Sequence, residues 1–205
     1  IPFNDDLGSL PGHITKKKNI IAQQARYDRL CIMHDYYLSP IDFFDILYWW
    51  EEDEPIYCPQ IKTLEGKRHS DWMVNPNHMK KFIERYDGVA NKLMAAAPHE
   101  NAPWFVNALP YNMNLSPIQY VSGGLMMLKT EVLLDIPMNE NLRWGDAEDV
   151  EFSERAVAKY KLTRVRGDGC HFTLMKPNKW AVSVIPDDVL PLLEEYSIEC
   201  QTTTS

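Results

Sequence analysis

No stretch of this sequence is apolar for long enough to cross a bilayer. Paired cysteines are missing too. Cys31, Cys58, Cys170 and Cys200 stand apart and form no CxxC unit, which argues against a zinc ribbon or a thioredoxin-like centre. Reduced and mostly buried thiols are the reading preferred here, with a disulfide between Cys170 and Cys200 as the alternative. Internal repeats, low-complexity tracts and linkers are absent. Positive charge is in deficit: 21 Lys and Arg face 29 Asp and Glu, a formal net charge of -8. An acidic surface argues against nucleic acid or an anionic membrane as partner, although a local basic cluster can still serve a small phosphate. The opening Ile1-Pro2-Phe3 carries neither the basic nor the apolar region of a secretory leader, and the expected location is cytoplasmic. It does not begin with Met, which fits a fragment or a processed product.

What is present suffices for one core. The chain has 205 residues, 45% of them hydrophobic, and residues 1–205 are read as a single domain. Thr15 can cap a helix over 16–27, and the apolar run Leu30-Cys31-Ile32-Met33 reads as a short buried strand. Ser39-Pro40-Ile41-Asp42 is a helix start, as is Asn75-Pro76. Residues 56–63 read as a strand and 64–67 as a turn. The stretch 95–117, rich in Pro and Asn, reads as a long loop of the kind that often carries function. Strands at 118–121 and 125–128 flank Gly123-Gly124. Thr130 caps a short helix, and a longer one follows over 147–160. Candidate strands at 162–166 and 172–175 precede a helix over 187–196. Alternating strands and helices imply an α/β fold with an at least partly parallel sheet.

Three places could carry chemistry. Met33-His34-Asp35-Tyr36 puts an acid just past a buried strand, where open α/β sheets bind ligands. Asp35 there can hold a divalent cation that neutralises a diphosphate, or it can simply cap the next turn. Trp144-Gly145-Asp146-Ala147-Glu148-Asp149, with Glu151 and Glu154 beyond, crowds five acids at a helix start. The helix dipole favours acids there. Beyond that, Trp144 and Gly145 offer a ring and a close backbone approach suited to a sugar. Adjacent Glu148 and Asp149 can divide two roles, one orienting an acceptor hydroxyl and the other removing its proton. His171 follows Gly167-Asp168-Gly169 and could complete a metal site with Asp35, an O and N ligand set that suits Mn²⁺. Lys16-Lys17-Lys18 is either a solvated face or the source of a lysine that reaches a diphosphate. Arg68 and Asp71, in Arg68-His69-Ser70-Asp71-Trp72, suit sugar or phosphate contacts and a surface ion pair equally.

In this order the pieces resemble the catalytic core of GT-A glycosyltransferases, in a bacterial and viral group with HDY in place of the usual DxD. The resemblance covers roughly residues 15–175, and the Trp144 to Asp149 stretch is its most specific part. It implies a GT-A, Rossmann-like fold: a mixed, mostly parallel sheet flanked by helices, here lacking part of the N-terminal nucleotide-binding portion. It implies a metal-dependent transferase that moves a sugar from a nucleotide-diphosphate sugar to a carbohydrate or glycan hydroxyl, with inversion and with Mn²⁺ or Mg²⁺. Asp149 matches the catalytic base, Glu148 the acceptor-binding acid and Asp35 the metal- and nucleotide-binding acid. His171 matches a further metal ligand, and Gly123 and Gly124 the backbone under the sugar. His34, Lys17, Lys18, Arg68 and Asp71 are grouped with the donor, and Trp144 and Gly145 with the acceptor. The single acid of HDY and the short N-terminal portion leave an alternative: a non-catalytic module that binds a sugar or nucleotide. A metal-dependent phosphohydrolase, prompted by His34-Asp35, fits poorly, because those enzymes are all-helical and this pair follows a strand.

Overall fold

The computed structural model describes residues 13–50, 53–95, 104–143, 145–164, 171–176 and 180–203. Helix α1 (Ile14–Gln24) leads into strand β1 (Arg29–Met33). Thr15 does not cap that helix; its hydroxyl lies inside the first turn and donates to Leu142 O at 3.0 Å. After a turn at His34 come β2 (Tyr37–Leu38) and α2 (Phe43–Trp49). The helix expected from Ser39-Pro40 is delayed, because tight turns bonded from Phe43 N to Pro40 O and from Asp45 N to Asp42 O come first. The single strand expected over 56–63 is two strands, β3 (Ile56–Cys58) and β4 (Gln60–Thr63). Pro59 separates them, having no N–H to give a ladder. Gly66, at φ +76°, closes the turn after β4.

Strand β5 (Met73–Val74) precedes α3 (Pro76–Arg85). The start of α3 is as anticipated: Asn75 Oδ1 accepts the Asn77 N–H at 2.8 Å and Pro76 opens the first turn. Next come α4 (Val89–Ala95) and β6 (Trp104–Ala108). The long loop expected over 95–117 thus contains a strand, and its residues 96–103 lie outside the described set. A 3-10 turn (Ser116–Ile118) and β7 (Gln119–Tyr120) replace the strand expected over 118–121. Then follow β8 (Leu125–Lys129), α5 (Thr130–Asp135), α6 (Glu148–Val157), β9 (Leu162–Arg164), β10 (His171–Leu174), β11 (Trp180–Val184) and α7 (Leu190–Thr203). Thr130, like Thr15, spends its hydroxyl on tertiary structure, donating to Tyr27 O at 2.7 Å. Strand β11 and the extent of α7 went unanticipated.

The fold is mixed α/β. The central sheet runs β1-β8-β3-β9, with β8 antiparallel to both neighbours and β3 parallel to β9. Its other three strands therefore share one direction, and β8 alone is reversed. A second sheet runs β2-β10-β4 and a third runs β11-β6-β5-β7. Because Pro59 cuts the ladder, β3 serves the central sheet while β4 pairs with β10 in the second.

Strand β8 is buried on both faces, which is why it reads as an unbroken apolar run. Met126 and Leu128 join one core with Ile56, Phe82, Val132, Phe152 and Leu193. Leu125 and Met127 join another with Trp50, Tyr57, Ile61 and Phe172. Of the described cysteines only Cys58 is buried; Cys31 is exposed and Cys200 is intermediate. Cys170 lies outside the described residues. No helix among the described residues is long and apolar enough to cross a membrane.

Candidate functional site

Reversal of β8 brings its beginning to the carboxyl end of β1. Met33 pairs with Leu125, and the His34 N–H donates to Gly124 O at 2.9 Å. The HDY turn and Gly123-Gly124 are thus neighbours at the end of the sheet where α/β proteins bind ligands. Helix α6 arrives at the same place. The Gly123 N–H donates to Asp149 Oδ2 at 2.8 Å, and a Cβ added to Gly123 would stand 3.0 Å from Asp149 Cβ and 3.2 Å from Glu148 Oε1. From the other side, Lys18 of α1 donates its Nζ to Gly123 O at 2.8 Å. A Cβ on Gly124 would meet Tyr37 Cε2 at 3.1 Å and Tyr36 OH at 3.3 Å. At both glycines a side chain would press on its neighbours.

The acids at the start of α6 divide cleanly. Asp146 accepts the Arg143 N–H at 2.8 Å and closes a turn in which Gly145 stands at φ +93°. Glu151 is paired with Arg155 at 2.8 Å, and Glu154 accepts from Asn77 Nδ2 at 3.1 Å. Asp146 and Glu151 thus serve local structure, and Glu154 ties α6 to α3. Glu148 and Asp149 turn to Gly123 instead. Asp149 takes one backbone N–H on each oxygen, from Gly123 and from Val150 at 2.9 Å. Glu148 is buried and is bonded by the backbone N–H of Gly145. Burial, then the charge of Asp149, pushes the Glu148 carboxyl above its ordinary range, against the opposing pull of Lys18. Ala147, just before the helix, is left-handed at φ +57°, a strained conformation for a residue with a Cβ. Trp144 lies outside the described residues.

Tyr36 and His34 form a second wall. Tyr36 OH lies 2.5 Å from His34 Nδ1, while the buried Nε2 of His34 has no hydrogen-bond partner among the described residues. Burial, then the charges of Lys18 and Lys176, pushes the His34 imidazole below its ordinary range. Tyr36 is raised by burial and by the charges of Asp35 and Glu148. Lys176 sits 3.6 Å from the centre of the Tyr36 ring, and the hydroxyls of Tyr37 and Ser122 are hydrogen-bonded. Sequence reasoning overlooked Tyr37, Ser122 and Lys176. The signal for Lys176 in the sequence was only a cation just past the end of a candidate strand.

The expected pairing of Asp35 with His171 is not assembled. In the antiparallel pairing of β10 with β2, Leu174 faces Tyr37 and the Met175 N–H donates to Tyr36 O at 2.8 Å. Continuing that register brings Lys176, not His171, level with exposed Asp35. His171 starts β10 beside Gln60, roughly 10 Å back along the strand from Leu174 at about 3.3 Å per residue. No three His, Cys, Asp or Glu side chains converge on a metal position among the described residues. The turn at Gly167, Asp168 and Gly169 lies outside them.

Arg68 and Asp71 form a largely buried ion pair rather than a surface one. Asp71 is 1% exposed and bonds Arg68 Nε at 2.6 Å, the Ile61 N–H at 2.7 Å and Tyr111 OH at 2.8 Å. Arg68 also donates to Leu109 O at 2.8 Å and lies over the Tyr111 ring. Burial pushes the Asp71 carboxyl up despite Arg68. Lys16 is exposed and Lys17 half-buried, so only Lys18 of that run turns inward. A cavity of about 770 Å³ opens against the later turns of α6, lined by His78, Glu154, Tyr160 and Tyr196 among others. It shares no residue with the Gly123 junction. Comparison with protein-family models, curated proteins and solved structures finds no match.

Proposed function

We propose that the chain is a GT-A-type glycosyltransferase domain, moving a sugar from a nucleotide-diphosphate sugar to an acceptor hydroxyl. The observation that carries this reading is the junction at Gly123. Four stretches far apart in the sequence meet there: Lys18, the HDY turn, the glycine pair and the two acids of α6. A well-capped helix needs no such convergence. Two adjacent carboxylates held at this end of the sheet suit a sugar, whose hydroxyls need acceptors at close range.

In this reading Asp149 takes the proton of the acceptor hydroxyl. Its oxygen forms the bond to the anomeric carbon, the bond from that carbon to the diphosphate breaks, and the diphosphate leaves with the electron pair. Each Asp149 oxygen has one lone pair engaged by a backbone N–H and another left for an incoming hydroxyl. Those two N–H groups also fix the carboxylate before substrate arrives. Glu148, whose Oε1 lies against the same side of Gly123 as the Asp149 carboxylate, orients the acceptor. Attack from the face opposite the leaving group inverts the sugar. Asp35, exposed at the end of β1, is the residue that would hold Mn²⁺ or Mg²⁺, which would supply charge neutralisation for the leaving diphosphate. His171 is not brought to it, and Lys176 contributes a cation at the same end of β10.

The test is diphosphate release from a panel of nucleotide sugars with Mn²⁺ and glycan acceptors, with donor affinity measured by calorimetry. Asp149→Asn is expected to cut transfer by about 10²–10⁴-fold, the worth of a general base, and to leave donor affinity within about threefold. Transfer at the wild-type rate by that variant sinks the assignment. The unassembled pair of Asp35 and His171 favours a second reading, a module that holds a sugar or nucleotide without turnover. Saturable donor binding with no diphosphate released, even slowly to water, supports that module.

A further inference from the structure

A lysine run at a helix start suggests a cation for a donor phosphate, yet the Lys18 ammonium is already engaged. Its residue is 1% exposed, and Nζ donates to Gly123 O at 2.8 Å. The N–H of the same glycine donates to Asp149 Oδ2 at 2.8 Å. Gly123 is therefore gripped at both polar backbone atoms, by a cation from α1 and by an acid from α6. Contact is close on this side too, since a Cβ would stand 3.0 Å from Asp149 Cβ and could fit only if that side chain gave way. Burial pushes the Lys18 ammonium below its ordinary range, and the charges of Glu148 and Asp149 oppose that push. Helix α1 is itself fixed, because the next residue, Asn19, donates to Met138 O at 2.9 Å and accepts the Met138 N–H at 2.9 Å.

We propose that Lys18 is a positioning residue: by holding Gly123 it sets where the Asp149 carboxylate stands, and it does so without touching the donor. The catalytic meaning of this rests on the transferase reading; the grip on Gly123 does not. Lys18→Met keeps the length and apolar stem of the side chain and removes the donor. Amide hydrogen exchange at Gly123, followed by NMR, is expected to quicken by about tenfold or more relative to core amides such as Met127. Unchanged exchange at Gly123 overturns the proposal. Should Lys18→Met not fold, the wild type decides. Its Lys18 Nζ resonance is expected to stay in place when ADP, CDP, GDP and UDP are added with Mg²⁺. A saturable shift of that resonance puts Lys18 on the phosphates and overturns the proposal. Where transfer is measurable, Lys18→Met lowers kcat by about 10–100-fold with donor KM within about threefold, the pattern for an interaction that matters only in the transition state. A raised donor KM at unchanged kcat overturns it. If the wild type transfers nothing, the transferase reading fails, and the exchange and resonance measurements still decide the role of Lys18.

Discussion

Glu148 works under two opposing demands. It is buried beside Asp149, which penalises its charge, and it is bonded by Gly145 N–H and lies near Lys18, which favour that charge. Burial and Asp149 prevail, so its carboxyl titrates above the ordinary Glu range. The sign follows from linkage. The folded state holds this proton more tightly than the unfolded chain, so stability falls as pH rises from the ordinary Glu value through the raised one. Glu148→Gln removes the penalty. It is expected to stabilise the protein at pH 7 by on the order of 1 kcal/mol, about 2–4 °C in melting temperature for a chain of this size. The advantage is expected to vanish below about pH 4.3, where both states of the wild type are protonated. Thermal melts of both proteins from pH 4 to 8 check this, and a variant that melts below the wild type at every pH contradicts it.

At the level of elements, the loop between β4 and β5 is held by charge. Arg68 and Asp71 tie Ile61 of β4, the turn into β5 and the backbone after β6 into one largely buried knot. Arg68→Met leaves Asp71 buried without its cation, and urea unfolding is expected to show a loss of about 3–5 kcal/mol. A loss under 1 kcal/mol would mean that Asp71 simply takes up a proton at little cost. What the sequence made legible divides along the same lines. Local signals were readable: the Asn75-Pro76 helix start and the Gly66 turn depend on neighbours in the chain, and the apolar run of β1 is a strand, though half-exposed at the edge of its sheet rather than buried as expected. Non-local outcomes were not. Thr15 and Thr130 look like caps, yet their hydroxyls bond partners more than 100 residues away. Strand β6 is stabilised by its parallel partner β11 and was hidden in a stretch rich in Pro and Asn. In the site, Glu148, Asp149, Lys18 and the glycine pair were all named from sequence and do meet. Asp35 and His171 do not, because register decides which residue faces the HDY turn, and register is invisible in a single strand.

Across the whole molecule, β8 and β3 make the two main cores one cooperative body. Met126 faces one core and Met127 the other, and both are fully buried. Met126→Ala and Met127→Ala are each expected to cost about 2–5 kcal/mol, the range for large-to-small changes in a core. Both are expected to shift a single unfolding transition, with far-ultraviolet dichroism and tryptophan fluorescence staying coincident. Trp50 reports from one core and Trp72 from the other. A split transition in either variant would show that the cores melt independently.

The alternation of β8 also acts as a ruler. Slipping this strand by one residue would exchange Met126 and Leu128 for Leu125 and Met127 across two cores of different shape, and would unseat every ladder bond to β1 and β3. Gly123, two residues upstream of the strand, cannot drift along the sheet unless that exchange occurs. The separation of Asp149 from the HDY turn is thus dimensioned by side chains that touch neither, and errors of placement at the site are corrected by packing in the interior.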